Sequence, residues 1–318
     1  MRVLGTRPDG YHEIETVFER IDLADELTFE PTSGDAVSLT CADHSTFAGA
    51  LPLSCGEENL ILRAARLLQQ AGGTPAGAAI HLLKRIPIAA GLGGGSSDAA
   101  AALMGLNELW GLRWPRARLG ELAARLGSDV PFFLGGEPFA IGRGRGERCE
   151  PLDLPRRRRG SLGANGEPVE PEPIPDAPRL AHVLVVPPER LATRDVYAGA
   201  RFNLTAPKPS SSMVAHAIRN GSLGELATGL WNDLAPEAIR RCPVIATIQS
   251  LLSRLGCEGG SVSGSGPAVF GLCRDAAQAE AVAESLRRHP WRVEVVHTLM
   301  AQPTQASPSQ VVRHGNTI

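Results

Sequence analysis

Residues 88–111 restrict the fold more than any other stretch. Four glycines and two serines fall within seven positions, Gly91-Leu92-Gly93-Gly94-Gly95-Ser96-Ser97, and Asp98 and a run of alanines follow. Glycine has no Cβ, so such a loop can turn successive N–H groups inward and form a concave anion nest. The helix predicted to begin at 96–98 adds unpaired N–H groups and the positive end of its dipole. A phosphate-binding loop is the favoured reading; a flexible, serine-capped loop is the plainer alternative. Two other phosphate fingerprints fail. No Lys follows the loop, as GxxxxGK[ST] requires, and Ser96 stands where GxGxxG needs its third glycine.

A phosphate loop of this kind needs a strand before it and a helix after it. Residues 79–83 suit a short strand running to Pro87. Leu103, Leu106 and Trp110 share a face of the helix that Gly111 ends. Upstream, 18–31 reads as strand. Residues 59–71 read as a helix capped by Asn59, with Leu60, Ala64, Leu67 and Leu68 on one face. Downstream, helices at 116–126, 211–220, 243–255 and 275–288 are interleaved with strands at 182–186, 258–263, 269–273 and 292–296. That spacing predicts an α+β architecture with helices on one face of a mainly antiparallel sheet.

The 318 residues favour two domains, drawn here at 1–154 and 181–301. Between them, 155–180 holds four consecutive arginines and then mostly Gly, Asn, Glu and Pro. It reads as a disordered insertion, because it has too little apolar surface to offset its ordering entropy. A nucleic-acid patch is the alternative for the arginines. Residues 302–318 read as a flexible tail.

A formal net charge of -2 gives no footprint for nucleic acid or an anionic membrane. No apolar run reaches the roughly 18 residues of a membrane helix, and the first residues are not apolar, so a cytoplasmic protein is expected. The six cysteines form no CxxC pair and read as reduced thiols. The eight histidines show no HExxH spacing, which argues against structural zinc.

Three further motifs can carry chemistry. In Gly127-Ser128-Asp129-Val130-Pro131-Phe132-Phe133 an Asp sits on a stiff turn just past a helix. A general base needs such a fixed position, although a turn-capping Asp is the plainer reading. Residues 259–266, Gly-Gly-Ser-Val-Ser-Gly-Ser-Gly, allow another backbone or a ligand to approach closely, or make a simple hairpin turn. Asp9-Gly10-Tyr11-His12-Glu13 offers a ring to stack on a base and an imidazole to bond its edge, or an ordinary surface His.

These motifs, in this order, resemble the GHMP kinase superfamily. The matching stretches are RPDGYHEIETVFERIDLADEL, ENLILRAARLL, PIAAGLGGGSSDAAAAL, GSDVPFFL and SGSGPAVFGL. The DGYHE and GSDVPFF segments point to the branch acting on a cytidyl-linked precursor of non-mevalonate isoprenoid synthesis. The resemblance implies a two-domain α+β fold, with a ribosomal S5 domain 2-like N-terminal domain and a ferredoxin-like C-terminal domain. It implies ATP and Mg2+ as cofactors, a small cytidyl acceptor, and a monomer or homodimer without nucleic-acid or membrane partners. Pro87, Ala89, Ala90, Gly91, Leu92, Gly93, Gly94, Gly95, Ser96 and Ser97 would hold ATP, and Ser97 would also reach Mg2+. Asp129 would take the proton from the acceptor's 2-hydroxyl. Tyr11 and Tyr197 would stack on cytosine, His12 would pair with its edge, and Gly264, Ser265 and Gly266 would line the site from the C-terminal domain.

The chain departs from that pattern at its start. The family opens with a strand carrying Ala-Lys-x-Asn before the GYH turn, and Met1 falls after it. Lys84 and Lys208 do not match the missing Lys. The expectation is that the upstream reading frame encodes this strand, and that without it a sheet edge stays unpaired. Two alternatives remain: another GHMP kinase acting on homoserine, mevalonate or a sugar, or a relative that binds without turnover.

Overall fold

The computed structural model describes residues 1–45, 53–154 and 179–300, with backbone alone at 156–158, 161–162, 168–169, 173–175 and 310–317. The N-terminal half runs β1 (Arg2–Thr6), β2 (His12–Thr32), β3 (Val37–Asp43), α1 (Leu60–Gly72), β4 (Gly77–Lys84), α2 (Gly94–Leu109), α3 (Arg116–Leu126), α4 (Val130–Leu134), β5 (Phe139–Gly144) and β6 (Arg148–Pro151). The expected insertion at 155–180 lies largely outside the described residues. Its described pieces are four short strands, β7 (Arg156–Arg158), β8 (Ser161–Leu162), β9 (Pro168–Val169) and β10 (Pro173–Pro175), paired in two ladders. The C-terminal half runs β11 (Ala181–Val186), α5 (Thr193–Gly199), α6 (Ser211–Asn220), α7 (Leu223–Gly229), α8 (Ala235–Arg241), α9 (Val244–Arg254), β12 (Gly259–Val262), β13 (Val269–Cys273), α10 (Ala276–Leu286), β14 (Arg292–His297) and β15 (Gln310–Thr317).

The long strand β2 organises the first half. A seven-stranded sheet has the order β3-β4-β2-β5-β6, with β1 and β15 also on β2. Leu27 and Phe29 of β2 and Ile80 and Leu82 of β4 are buried against α1 and α2. Alternation explains this, since every second residue of a strand meets the same face. Asn59 caps α1 by accepting from Ile61 N–H at 2.9 Å, and Gly73 closes it in the left-handed region. Ile61, Leu62, Ala64, Ala65 and Leu68 form its buried face; each large aliphatic side chain there contributes about 1.5–3 kcal/mol. Ala99, Ala100, Ala101 and Ala102 are fully buried, and their small size lets α2 lie close to its neighbours. The second sheet is antiparallel, in the order β12-β13-β11-β14, and packs on α9 and α10. This is the two-domain α+β fold expected from the sequence.

Three expectations need correction. Part of the flexible tail is a strand: β15 pairs antiparallel with β2 from Gln310 opposite Phe29 to Thr317 opposite Arg20. The sheet edge expected to stay open is therefore covered along that length, while residues 301–309 lie outside the described residues. Strand β5 holds one edge of β2 from Ile14 to Glu19, and Thr298 bridges Ile21 beyond it. So β1 and β15 follow one another along the other edge. Finally, Cys41 and Cys55 are joined in a disulfide, while Cys149, Cys242, Cys257 and Cys273 are free.

The two halves meet along residues 19–22 of β2. Glu19 accepts from Thr298 Oγ1 at 2.7 Å and lies 3.1 Å from His182 Nε2, while Asp22 accepts from His297 N–H at 2.8 Å. Among the described residues no helix is long and apolar enough to cross a membrane.

Candidate active site

A cleft of about 1230 Å3 lies between the halves. Pro87, Ala89, Ala90, Gly91, Leu92, Gly93, Gly94, Gly95 and Ser96 form one wall. Gly91 and Gly93 have φ of 80° and 68°, left-handed values that glycine adopts without strain. Helix α2 begins at Gly94, two residues earlier than expected. Ser97 N–H already bonds back to Gly93 C=O at 2.9 Å, so the N–H groups of Gly94, Gly95 and Ser96 are those without an intrahelical acceptor. They make the anion nest.

Ser97 is not part of that surface. It is fully buried, outside the cleft lining, and its hydroxyl donates to Gly94 C=O at 3.0 Å. The earlier helix start turns the second serine inward and leaves Ser96 facing the cleft. The Ser97 reading as a phosphate or Mg2+ ligand is corrected accordingly.

Under the nest lies a cluster that sequence reasoning missed. Lys84 is buried and reaches Asp25 Oδ2 at 2.5 Å and Asp98 Oδ2 at 2.6 Å. Asp25 also accepts the N–H groups of Arg85 and Ile86, at 2.6 and 2.9 Å. Burial pushes the Asp98 carboxyl up despite Lys84, because two carboxylates share one cation. Burial alone would lower Lys84, but the two carboxylates hold it raised. Asp98 Oδ1 is buried without a partner, and Asp98 lines the cleft. Lys84 is one of only two lysines in the chain, and that rarity was the one available signal.

The C-terminal glycine loop docks on the nest backbone to backbone. Ser263 Oγ donates to Gly91 C=O at 2.8 Å, and Ala268 N–H donates to Ala90 C=O at 3.1 Å. A Cβ on Gly91 would stand 2.3 Å from Ser263 C=O. Asn232, also missed, holds this loop by donating to Val262 and Gly264 C=O at 2.9 and 2.8 Å. Gly264 and Ser265 line the cleft, whereas Gly266 lies behind it against Val262 and Leu191.

Asp129 faces the same cleft. It stands at the start of α4, yet its side chain makes no capping hydrogen bond. The turn-capping reading therefore loses its physical basis. Burial pushes its carboxyl up to about 6. Gly127, two residues earlier, packs toward Ser96: a Cβ there would be 3.9 Å from Ser96 Oγ. The carboxylate and the nest thus line one cleft. At the far end of α4, buried Arg20 donates to the carbonyls of Phe132, Phe133 and Gly135 at 3.3, 3.2 and 2.8 Å, which fixes the helix that positions Asp129.

The turn between β1 and β2 carries Tyr11 and His12, which line the same cleft. Asp9 Oδ1 accepts Tyr11 N–H at 3.1 Å, and Gly10 takes φ of 82°. Tyr11 is exposed. His12 stacks on Tyr197 with ring centroids 5.2 Å apart and meets Phe202 edge-on at 5.1 Å. The structure thus brings His12 and Tyr197 together and adds Phe202, a loop residue with no sequence signal. Lys208 is bound to Asp233 at 2.7 Å.

Family models agree with this architecture. The GHMP kinases N terminal domain matches residues 59–137, and the GHMP kinases C terminal domain matches residues 214–290. A 4-diphosphocytidyl-2-C-methyl-D-erythritol kinase of Pelotomaculum thermopropionicum is 43% identical over 296 residues, 93% of each chain. One of Moorella thermoacetica is 38% identical, covering 94% of this chain and 95% of the relative. A crystal structure of 4-(cytidine 5'-diphospho)-2C-methyl-D-erythritol kinase superposes with TM-score 0.71 at 35% identity, over 93% of this chain and 94% of the other. A homoserine kinase from Cytophaga hutchinsonii, at 16% identity and TM-score 0.65, over 94% of this chain and 97% of that one, shares the fold. By sequence identity over nearly its whole length, the chain belongs to the 4-diphosphocytidyl-2-C-methyl-D-erythritol kinases of the GHMP kinase superfamily.

Proposed function

We propose that the protein transfers the γ-phosphate of ATP to the 2-hydroxyl of 4-diphosphocytidyl-2-C-methyl-D-erythritol, in the cytoplasm, as a monomer or homodimer. The observation that carries this reading is an uncapped carboxylate, Asp129, raised by burial and set in one cleft with the amide nest. Phosphoryl transfer depends on positioning and charge stabilisation more than on covalent help from the protein. The N–H groups of Gly94, Gly95 and Ser96 would hold phosphate oxygens, and α2 adds its dipole. Mg2+ keeps most of its waters and needs only one or two protein oxygens beside the phosphates. Ser96 Oγ and the unpartnered Asp98 Oδ1 are the oxygens that fit, and the ion would supply charge neutralisation there. Asp129 accepts the proton of the acceptor hydroxyl. Tyr11, His12 and Tyr197 hold the cytosine end, and the docked loop at 263–268 closes the nest from the C-terminal side.

Both lysines are committed elsewhere, Lys84 to Asp25 and Asp98 and Lys208 to Asp233, so neither stands beside Asp129. That favours a second reading, binding without turnover. Phosphorus NMR of the purified protein with ATP, Mg2+ and the cytidyl acceptor separates the two. A new phosphomonoester signal is expected with this acceptor and not with homoserine or mevalonate. Binding of the acceptor with ATP left intact would establish the second reading.

A further inference from the structure

A covalent bond ties one wall of the cleft to the N-terminal sheet. Cys41 lies in β3, opposite Leu82 of β4, and its disulfide to Cys55 spans 14 positions. Cys55 sits in the segment that leads into α1. Leu53, Ser54, Glu58, Asn59 and Leu60 of that segment line the cleft. Leu60 stands against the nest itself: a Cβ on Gly95 would be 3.5 Å from its Cδ1. A ligand that fills the nest therefore has this wall beside it.

The wall has few other ties. Among the described residues, the hydrogen bonds of 54–59 run within the segment or onto α1. Asn59 Nδ2 donates to Ser54 C=O at 2.8 Å, Gly56 N–H donates to Ser54 Oγ at 3.1 Å, and Asn59 N–H donates to Gly56 C=O at 2.9 Å. Leu53 packs on the core, but the disulfide is what joins the segment to β3. Cys41 and Cys55 are both half-buried, so the bond is not sealed inside the core. A disulfide in a reducing compartment is most often transient and redox-sensing.

We propose that the Cys41–Cys55 bond is a thiol-operated switch on nucleotide affinity. A dithiol reductant attacks one sulfur as its thiolate; the Cys41–Cys55 bond breaks and a mixed disulfide forms. The reductant's second thiol displaces it, leaving two cysteine thiols and a cyclised, oxidised reductant. Two electrons pass from reductant to protein, and the reductant's two protons end on Cys41 and Cys55. Opening the bond removes the loop closure, and the wall gains freedom that nucleotide binding must then take away. The proposal rests on the functional reading above, which puts the nucleotide on the nest and the protein in the cytoplasm.

Calorimetry with a non-hydrolysable ATP analogue and Mg2+, on the oxidised protein and after dithiothreitol, tests this. Thiol counting on the denatured protein is expected to give four before and six after. Reduction should weaken analogue binding about fivefold or more, leave cytidine binding within about twofold, and reverse on reoxidation. Cys41→Ser/Cys55→Ser should bind like the reduced form and ignore dithiothreitol. Cys41→Val/Cys55→Ala replaces it should that variant fail to fold. Cys257→Ser should respond as the wild type does. Full opening of the bond with analogue affinity unchanged overturns the proposal. So does a response that persists in Cys41→Ser/Cys55→Ser and vanishes in Cys257→Ser, which would move the switch to Cys257 and Cys273, whose sulfurs lie 3.9 Å apart. An equal loss of analogue and cytidine binding overturns it as well, because the bond would then be a staple of the whole fold. A thiol count that stays at six under oxidised dithiothreitol removes the bond, and the switch with it. A protein that binds no analogue in either form overturns the nest reading, and this proposal falls with it.

Discussion

At Asp129 burial holds the carboxyl up at about 6, from an ordinary 3.8. A base must be ionised to accept a proton, so kcat/KM should fall about tenfold per pH unit below that value. A pH-rate profile of the free enzyme checks this; an acid limb centred near 4 would remove burial from the explanation. Asp129→Asn should lower turnover by about 10³-fold and leave ATP binding intact. The same shift has a stability sign. A carboxyl whose folded pKa exceeds its unfolded one binds its proton more tightly in the native state, so native stability falls as pH rises from 3.8 toward about 6. Asn lacks that penalty. The melting temperature of Asp129→Asn should therefore match wild type near pH 3.5 and exceed it by a few degrees above pH 6, read by parallel thermal scans across about three pH units. Ser96 and Ser97 divide in a similar way. Ser96→Ala should weaken nucleotide binding, whereas Ser97→Ala should cost about 1 kcal/mol of stability through the lost bond to Gly94 and spare affinity.

The start of α2 and the loop at 263–268 depend on each other. Gly91→Ala would force a Cβ against Ser263 C=O and impose a left-handed φ on a residue that resists it. It should cost about 2 kcal/mol or more and abolish nucleotide binding, checked by thermal melts and an ATP titration. Lys84→Met would leave Asp25 and Asp98 buried without their cation, at about 3–5 kcal/mol; adding Asp98→Asn should recover part of it. At this scale much was legible in the sequence. Helices 116–126 and 211–220 and strand 269–273 fall where periodicity and their bounding residues put them. The glycine loops, the Asp129 turn and the Tyr11-His12 turn announce themselves by composition. The choice between Ser96 and Ser97 did not, because it hangs on where the helix begins. At 3.6 residues per turn, two residues swing a side chain to nearly the opposite face. Nor did Lys84 with Asp25, or Asn232 with Gly264. Those are single contacts across 59 and 32 positions, which no local pattern encodes.

For the molecule as a whole, β2 is the common member. It pairs with β1, β4, β5 and β15, and between Glu19 and Asp22 it meets the C-terminal half. Removing β15 should leave the Arg20–Phe29 edge without its ladder, lower the melting temperature and promote association, because bare strand edges template intermolecular pairing. Thermal melts and light scattering of a chain ending at residue 309 would show it; an unchanged melt would mean that the ladder adds nothing to stability. The shared edge has one more consequence. Pairing with β1 reaches Glu15, and pairing with β15 begins at Arg20, so the two termini point at each other across roughly 17 Å of strand. A circular permutant that splices Thr317 to Met1 through a few residues, and reopens in the exposed turn at Gly221, would turn two separate ribbons into one continuous seam beside the reaction site.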